Sequence, residues 1–349
     1  MSYLKPSFRH PEAPVNELGY SRRDYEGAIS TLCAGCGHDS ISSAIIDACF
    51  GLGIEPHRVA KMSGIGCSSK TPAYFLGRSH GFNSVHGRMP SVATGANLAN
   101  RDLIYIGVSG DGDTASIGMG QFSHVVRRNL NMTYIVENNG CYGLTKGQDS
   151  ATADVGSKSK KGDPNPYEPI DLVKVAIQLG VTFVGRSFSG DKAQLVALIK
   201  AAMSHRGFAL LDVVSPCVTF NNHEGSTKSY AFMRDRIDLT PIDFVPMREE
   251  IRTSYAAGAT QEVCMHDGSV IRLHKINEEY DIEDPESALQ AINFHEREGR
   301  ILTGLLYINR DAQELHDVLG TVRRPLNSLT EKELCPGTKF LDSINAGLR

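Results

Sequence analysis

Two apolar runs that each end in a glycine-rich polar cluster constrain this chain more than any other feature. Leu103 to Val108 runs into Gly110-Asp111-Gly112-Asp113, and Met132 to Val136 runs into Glu137-Asn138-Asn139-Gly140-Cys141-Tyr142-Gly143. Between them Ser116 to Arg128 has the spacing of a helix. The stretch from Asp102 to Lys146 therefore predicts one strand–helix–strand unit with parallel strands. In open parallel sheets ligands sit beyond the carboxyl ends of the strands, which is where both clusters fall.

The two clusters suit a diphosphate held through a metal ion. Mg²⁺ takes hard oxygen ligands in near-octahedral array, with one or two from protein and the rest from phosphate and water. Asp111 offers a carboxylate, Asn139 an amide oxygen, and the backbone carbonyl of Cys141 a third oxygen. Gly110, Gly112, Gly140 and Gly143 carry no Cβ where backbone must approach phosphate. The Gly-Asp-Gly and Asn-Asn pair, with aspartate and second asparagine 28 positions apart, resembles the thiamine-diphosphate motif of thiamine enzymes. Two ordinary strand-to-helix turns are the competing reading, and a lone Gly-Asp-Gly would not exclude it.

At 349 residues the chain is long enough for a sizeable core. With 22% charged residues and a net charge of −4, it lacks the basic surplus of a nucleic-acid binder. No apolar run reaches the ~20 residues of a membrane span, and Met1 to Tyr20 does not read as a secretory signal. The expected location is therefore cytoplasmic, a reducing compartment in which the eight cysteines would serve metals or redox chemistry rather than disulfides. Cys49 follows Ile41, Ala44, Ile45 and Ala48 at helical spacing and reads as a packed core residue.

In chain order, residues 1–30 read as an N-terminal arm. An α/β domain over 31–222 follows, with helices expected over 40–52, 90–100, 170–179 and 191–205, and strands over 58–62, 181–185 and 208–214. This alternation predicts a doubly wound parallel sheet. Residues 223–349 read as a smaller C-terminal extension: a hairpin through Val263–Met265 and Val270–Ile276, a helix from Pro285 to Glu298, a strand from Ile301 to Ile308, and a tail.

Cys33, Cys36, Cys67 and Cys217 each stand in a glycine- or proline-bearing turn, so four thiolates could converge at one end of the sheet. Four thiolates suit a structural zinc or an iron–sulfur cluster about equally, and the spacing alone also leaves open that they hold no metal. A redox centre beside a thiamine site favours the cluster.

Six motifs in order extend the pattern: Cys33-Ala34-Gly35-Cys36-Gly37-His38, Gly64-Ile65-Gly66-Cys67-Ser68-Ser69-Lys70, His86-Gly87-Arg88, Gly110 to Asp113, Asn138 to Gln148, and Ser215 to Phe220. Together they resemble the β subunit of 2-oxoacid:ferredoxin oxidoreductases, most closely the 2-oxoglutarate branch, over about residues 30–225. The resemblance implies a [4Fe–4S] cluster on Cys33, Cys36, Cys67 and Cys217, and thiamine diphosphate held through Mg²⁺ by Asp111, Asn139 and the Cys141 carbonyl. It places Ile65, Cys67, His86, Gly110, Gly112, Asp113, Gly143, Leu144 and Thr145 against the cofactor. Lys70 and Lys146 are candidates to meet the substrate, with His86 beside them. One departure is visible after Gln148, where Asp149-Ser150-Ala151-Thr152 stands in place of an expected Ser-Pro-Thr, in a loop read as lying near the substrate mouth.

The family reaction converts a 2-oxoacid and coenzyme A to acyl-CoA and CO₂ while reducing two ferredoxins. The chain shows a single doubly wound unit, so a larger α subunit is expected to bring the pyrimidine domain, in an αβ or (αβ)₂ assembly. Readings from other classes are pyruvate or branched-chain specificity, a non-redox thiamine enzyme with structural zinc, and a non-catalytic electron-transfer or scaffold subunit.

Overall fold

The computed structural model describes residues 12–145, 147–157, 164–215, 217–218, 250–265, 270–335 and 337–348. Eleven strands are present among them: β1 (Val59–Ser63), β2 (His80–Asn83), β3 (Ile104–Gly110), β4 (Met132–Asn138), β5 (Cys141–Tyr142), β6 (Gln148–Asp149), β7 (Phe183–Phe188), β8 (Phe208–Val214), β9 (Thr260–Cys264), β10 (Val270–Lys275) and β11 (Ile301–Ile308). Nine of them form one sheet in the order β2-β1-β3-β4-β8-β7-β11-β10-β9, and β5 and β6 make a separate ribbon. The first six strands of that order run parallel, whereas β11 joins β7 antiparallel.

The expected alternation over 40–214 is realised, and both faces of the sheet are covered. Helices α1 (Gly37–Gly51) and α5 (Lys192–Ser204) pack on one face, with Ile41, Ile45, Leu195 and Ile199 against Ile135 and Leu211. Helices α2 (Met89–Ala99), α3 (Met119–Arg127), α4 (Leu172–Gln178) and α6 (Pro285–Arg297) cover the other, where Ala93, Phe122, Val173 and Ile292 meet Tyr134, Val136 and Leu210. Successive residues of β4 thus serve opposite cores, as the two-residue period of a strand requires. Phe122 meets the Phe208 ring edge-on at 6.4 Å, and burial of each such side chain contributes roughly 1.5–3 kcal/mol.

Three local features differ from the sequence reading. α1 begins at Gly37 with Cys36 at its N-cap and no capping side chain, whereas Asp39 or Ser40 was the expected cap. The helix expected to start at Ser116 is preceded by a wide π turn, Gly112–Ile117, and α3 proper starts at Met119. β2 has no apolar alternation to announce it, because all four of its residues are exposed on the sheet edge.

The boundary expected at residue 222 falls outside the described residues. The strands after it extend the main sheet: β9 and β10 form the expected hairpin, and β11 carries them onto β7. The arm is also tied down, with Tyr25 fully buried against Phe50 and Gly27 N donating to the Tyr74 carbonyl at 2.8 Å. Among the described residues of 321–348 no side chain is buried.

Candidate active site

The carboxyl ends of β1, β3 and β4 open into a narrow cleft, at the place where open parallel sheets take their ligands. Every residue that the resemblance implies for cofactor contact lines it, from Ile65 and Cys67 on the β1 turn to Leu144 and Thr145 after β4. Five further lining residues had no assigned cofactor contact: His38, Gly66, Ser68, Glu137 and Tyr142.

Asp111 and Asn139 meet because β3 and β4 are adjacent and in register to their last residues, Gly110 beside Glu137. Asn139 N donates to Asp111 Oδ1 at 3.2 Å, and Asn139 Oδ1 accepts from Cys141 N at 3.1 Å. Gly140 makes the intervening turn at φ +70°, a conformation costly for residues with a Cβ. The other Asp111 oxygen accepts from the hydroxyls of Ser150 and Thr152, the latter at 2.7 Å. The departure at Ala151 therefore lies between two residues that orient Asp111. Burial raises the Asp111 carboxyl above its ordinary value, and these donors pull in the opposite direction.

Asp113 plays a different part. Its Oδ1 accepts from Gly87 N at 2.7 Å and bonds His86 Nδ1, while Oδ2 accepts from Ser109 Oγ at 2.6 Å. The carboxylate ties the His86 turn to the end of β3. The approach is close enough that a Cβ on Gly64 would strike Asp113, and one on Gly112 would lie 2.6 Å from the Tyr142 ring. The glycines thus permit the cleft walls to meet.

Beneath the cleft lie two fully buried groups, His38 from α1 and Glu137 from β4. His38 Nδ1 shares a hydrogen bond of 2.6 Å with Ser215 Oγ and lies 3.6 Å from Glu137 Oε2, and its Nε2 is 3.5 Å from Asn139 Nδ2. Burial lowers the His38 pKa to about 4, so the ring is neutral at pH 7. Neither Glu137 oxygen has a hydrogen-bond partner. The Thr71 hydroxyl faces it but donates to the Ser68 carbonyl at 2.7 Å. Burial accordingly pushes the Glu137 carboxyl well above the usual carboxylate range. A glutamate closing the otherwise apolar run of β4 was the available sequence signal.

The cysteines gather at the same end of the sheet. Cys36 lies within electrostatic reach of Cys217, and Cys67 within reach of both Cys217 and Cys33. Burial raises the Cys36 and Cys67 thiols, and the Lys70 charge opposes the rise at Cys67. Cys141 brings a fifth thiol, which lies within electrostatic reach of Cys217. Cys49 is packed in the core, as expected. Lys70 is exposed and outside the cleft lining, and Lys146 lies outside the described residues.

Residues 64–213 match the family described as thiamine pyrophosphate enzyme, C-terminal TPP binding domain. The chain is 44% identical over 199 residues to a 2-oxoacid:ferredoxin oxidoreductase subunit beta from Saccharolobus solfataricus, covering 57% of this chain and 65% of that one. It thus spans just under two thirds of that relative's length. It is 35% identical over 275 residues to the 2-oxoglutarate synthase subunit KorB of Methanocaldococcus jannaschii, covering 77% of this chain and 93% of that one. Among solved structures it is similar to a 2-oxoglutarate:ferredoxin oxidoreductase from Magnetococcus marinus with 2-oxoglutarate, coenzyme A and succinyl-CoA bound. The TM-score is 0.69 and the identity 31%, over 92% of this chain and 97% of that chain.

Proposed function

Because the chain belongs to the family of 2-oxoacid:ferredoxin oxidoreductase β subunits, we propose that it carries the diphosphate and iron–sulfur half of an enzyme that oxidises 2-oxoglutarate to succinyl-CoA and CO₂ and reduces ferredoxin. The observation that carries this reading is the meeting of Asp111 and Asn139 at the ends of adjacent parallel strands, in a cleft that Cys67 also lines. The relatives named for 2-oxoglutarate favour that substrate over pyruvate or a branched-chain 2-oxoacid.

The residues present fit the implied groups. Asp111, Asn139 and the Cys141 carbonyl offer a hard-oxygen set for Mg²⁺, and Gly110, Gly112 and Gly143 line the cleft, where backbone N–H groups would face a diphosphate. Cys33, Cys36, Cys67 and Cys217 would hold a [4Fe–4S] cluster. Four thiols beside a thiamine site favour a redox cluster over a structural zinc, because a one-electron acceptor has a use there.

When bound, thiamine diphosphate supplies the electron sink for cleavage next to a carbonyl, and the cluster supplies a one-electron acceptor beside it. Ser150 and Thr152 fix the Asp111 carboxylate, Asp113 fixes His86 against the cofactor wall, and neutral His38 supports Asn139 from below. Lys70 is assigned to the substrate carboxylate and Lys146 to the same end of the substrate. A larger α subunit would supply the pyrimidine domain, and no described helix is long and apolar enough to cross a membrane.

The test is co-expression with an α-type partner, followed by ferredoxin reduction with 2-oxoglutarate, pyruvate and a branched-chain 2-oxoacid, each with coenzyme A. The expected result is turnover led by 2-oxoglutarate and dependent on both chains. A complex with thiamine diphosphate but neither iron nor ferredoxin reduction would return the non-redox alternative.

A further inference from the structure

Metal ligation through the Cys141 carbonyl leaves its thiol without a task. β4 and β8 run parallel with Asn138 beside Val214, and Ser215 N donates to the Asn138 carbonyl at 2.7 Å just past the strand ends. The two chain segments therefore leave the sheet side by side, and three residues further along each stand Cys141 and Cys217. Their thiols lie within electrostatic reach of one another, and both residues are partly exposed. From neighbouring turns a modest approach and a side-chain rotation would bring the two sulfurs to the S–S distance of ~2.05 Å.

We propose that Cys141 and Cys217 are a disulfide-forming pair in the cluster-free chain, a reversible oxidation site that competes with cluster loading; the competition rests on the reading of Cys217 as a cluster ligand. With hydrogen peroxide as oxidant, the Cys217 sulfur attacks one peroxide oxygen, the O–O bond breaks, and one water leaves with Cys217 as the sulfenic acid. The Cys141 sulfur attacks that sulfur, the S–O bond breaks, and a second water leaves. Two thiols have then lost two electrons and two protons, and one peroxide has become two waters. A dithiol reductant reverses the bond by exchange.

While a cluster occupies Cys217 the pair stays open. Once the cluster is lost, closure withdraws one ligand from the set and halts Cys217 before the sulfinic acid, a step that dithiols do not undo. Cys141 thus preserves the site for reloading.

The experiment uses the full chain stripped of metal by a chelator. It is treated without air with one equivalent of hydrogen peroxide, its free thiols are trapped with N-ethylmaleimide, and its peptides are mapped by mass. The expected product is a Cys141–Cys217 link that dithiothreitol releases. Subsequent loading with ferrous iron and sulfide should match the unoxidised chain by its brown charge-transfer absorption. In Cys141→Ala a second equivalent of peroxide should take Cys217 from the sulfenic to the sulfinic acid, whereas the wild-type link withstands it, with loading of the variant reduced several-fold even after reductant. A link from Cys217 to Cys36 or Cys67, or no link, overturns the pairing. Equal recovery in Cys141→Ala overturns the protective role. The wild-type map stands if the variant does not fold. It is also read without a cluster, so a chain that forms the link but never takes up iron would overturn the cluster reading alone.

Discussion

At the end of β4, Asn138 and its neighbours enter two buried polar groups on opposite faces of the sheet. Asn138 Nδ2 donates to Asp212 at 3.0 Å, and Asp212 in turn accepts from Arg186 Nε at 3.0 Å. Arg186 reaches on to Asp171 at 2.6 Å, so one buried guanidinium faces two carboxylates and each group has a partner. Glu137, pointing the other way, faces neutral His38 and has no hydrogen bond to either oxygen. No member of the first group lines the cleft, although the Thr152 hydroxyl stands between Asn138 and Asp111, and the second group forms part of the lining. A buried charge that is fully matched belongs to the fold, whereas one left unmatched at a strand end indicates where the chain meets something else.

The largest way to break this comparison is Arg186→Met, which strands Asp171 and Asp212. Loss of one partner from a buried ion pair costs about 3–5 kcal/mol, and urea unfolding should show a loss of that size whether or not cofactor is present. Asp111→Ala acts on the other side. Thiamine diphosphate with Mg²⁺ at a hundred times its dissociation constant should stabilise the wild type by about 2.7 kcal/mol, and this ligand-dependent gain should vanish in the variant. An unchanged gain in a thermal-shift titration would remove Asp111 from the metal site.

Acid sharpens the contrast further. Burial would lift the Asp171 carboxyl, but the Arg186 charge and its hydrogen bonds outweigh this and hold it below its ordinary 3.8. Its contribution is complete above that value and is lost as pH falls through the lower folded value. Stability measured from pH 6 downward should therefore drop more steeply in the wild type than in Arg186→Met. The smallest effect is expected for Glu137→Gln. No hydrogen bond to its oxygens is lost, so stability at neutral pH should hold within about 1 kcal/mol or rise. A loss of several kcal/mol would show that Glu137 has a structural partner after all.

The extent to which this site could be read in advance follows from how local its signals are. Asp111, Asn139 and the cysteine turns stand in short patterns at the ends of apolar runs, and such patterns survive without coordinates. The support for Asp111 does not, because Ser150 and Thr152 come from a loop 39 and 41 positions away and look like ordinary polar loop residues. Asp113 shared a motif with Asp111, and only the fold separates the two, by turning it onto His86, Gly87 and Ser109. The π turn after β3 was hidden for a similar reason, since nothing in Gly112 to Ile117 distinguishes a wide turn from the start of α3. The C-terminal strands were legible as strands, but their attachment to β7 is a pairing between distant segments that no local pattern encodes.

Strand order also governs when this site can exist during synthesis. β8 is inserted between β4 and β7, although it is made after both. Cys33, Cys36 and Cys67 leave the ribosome early, and at about 5–20 residues per second Cys217 follows Cys67 by roughly 7–30 s. During that interval β3 and β4 can already pair and bring Asp111 to Asn139, while β4 has no neighbour on its other edge. The diphosphate half of the site can therefore form on a nascent chain, whereas the four-thiol set must wait for the last parallel strand.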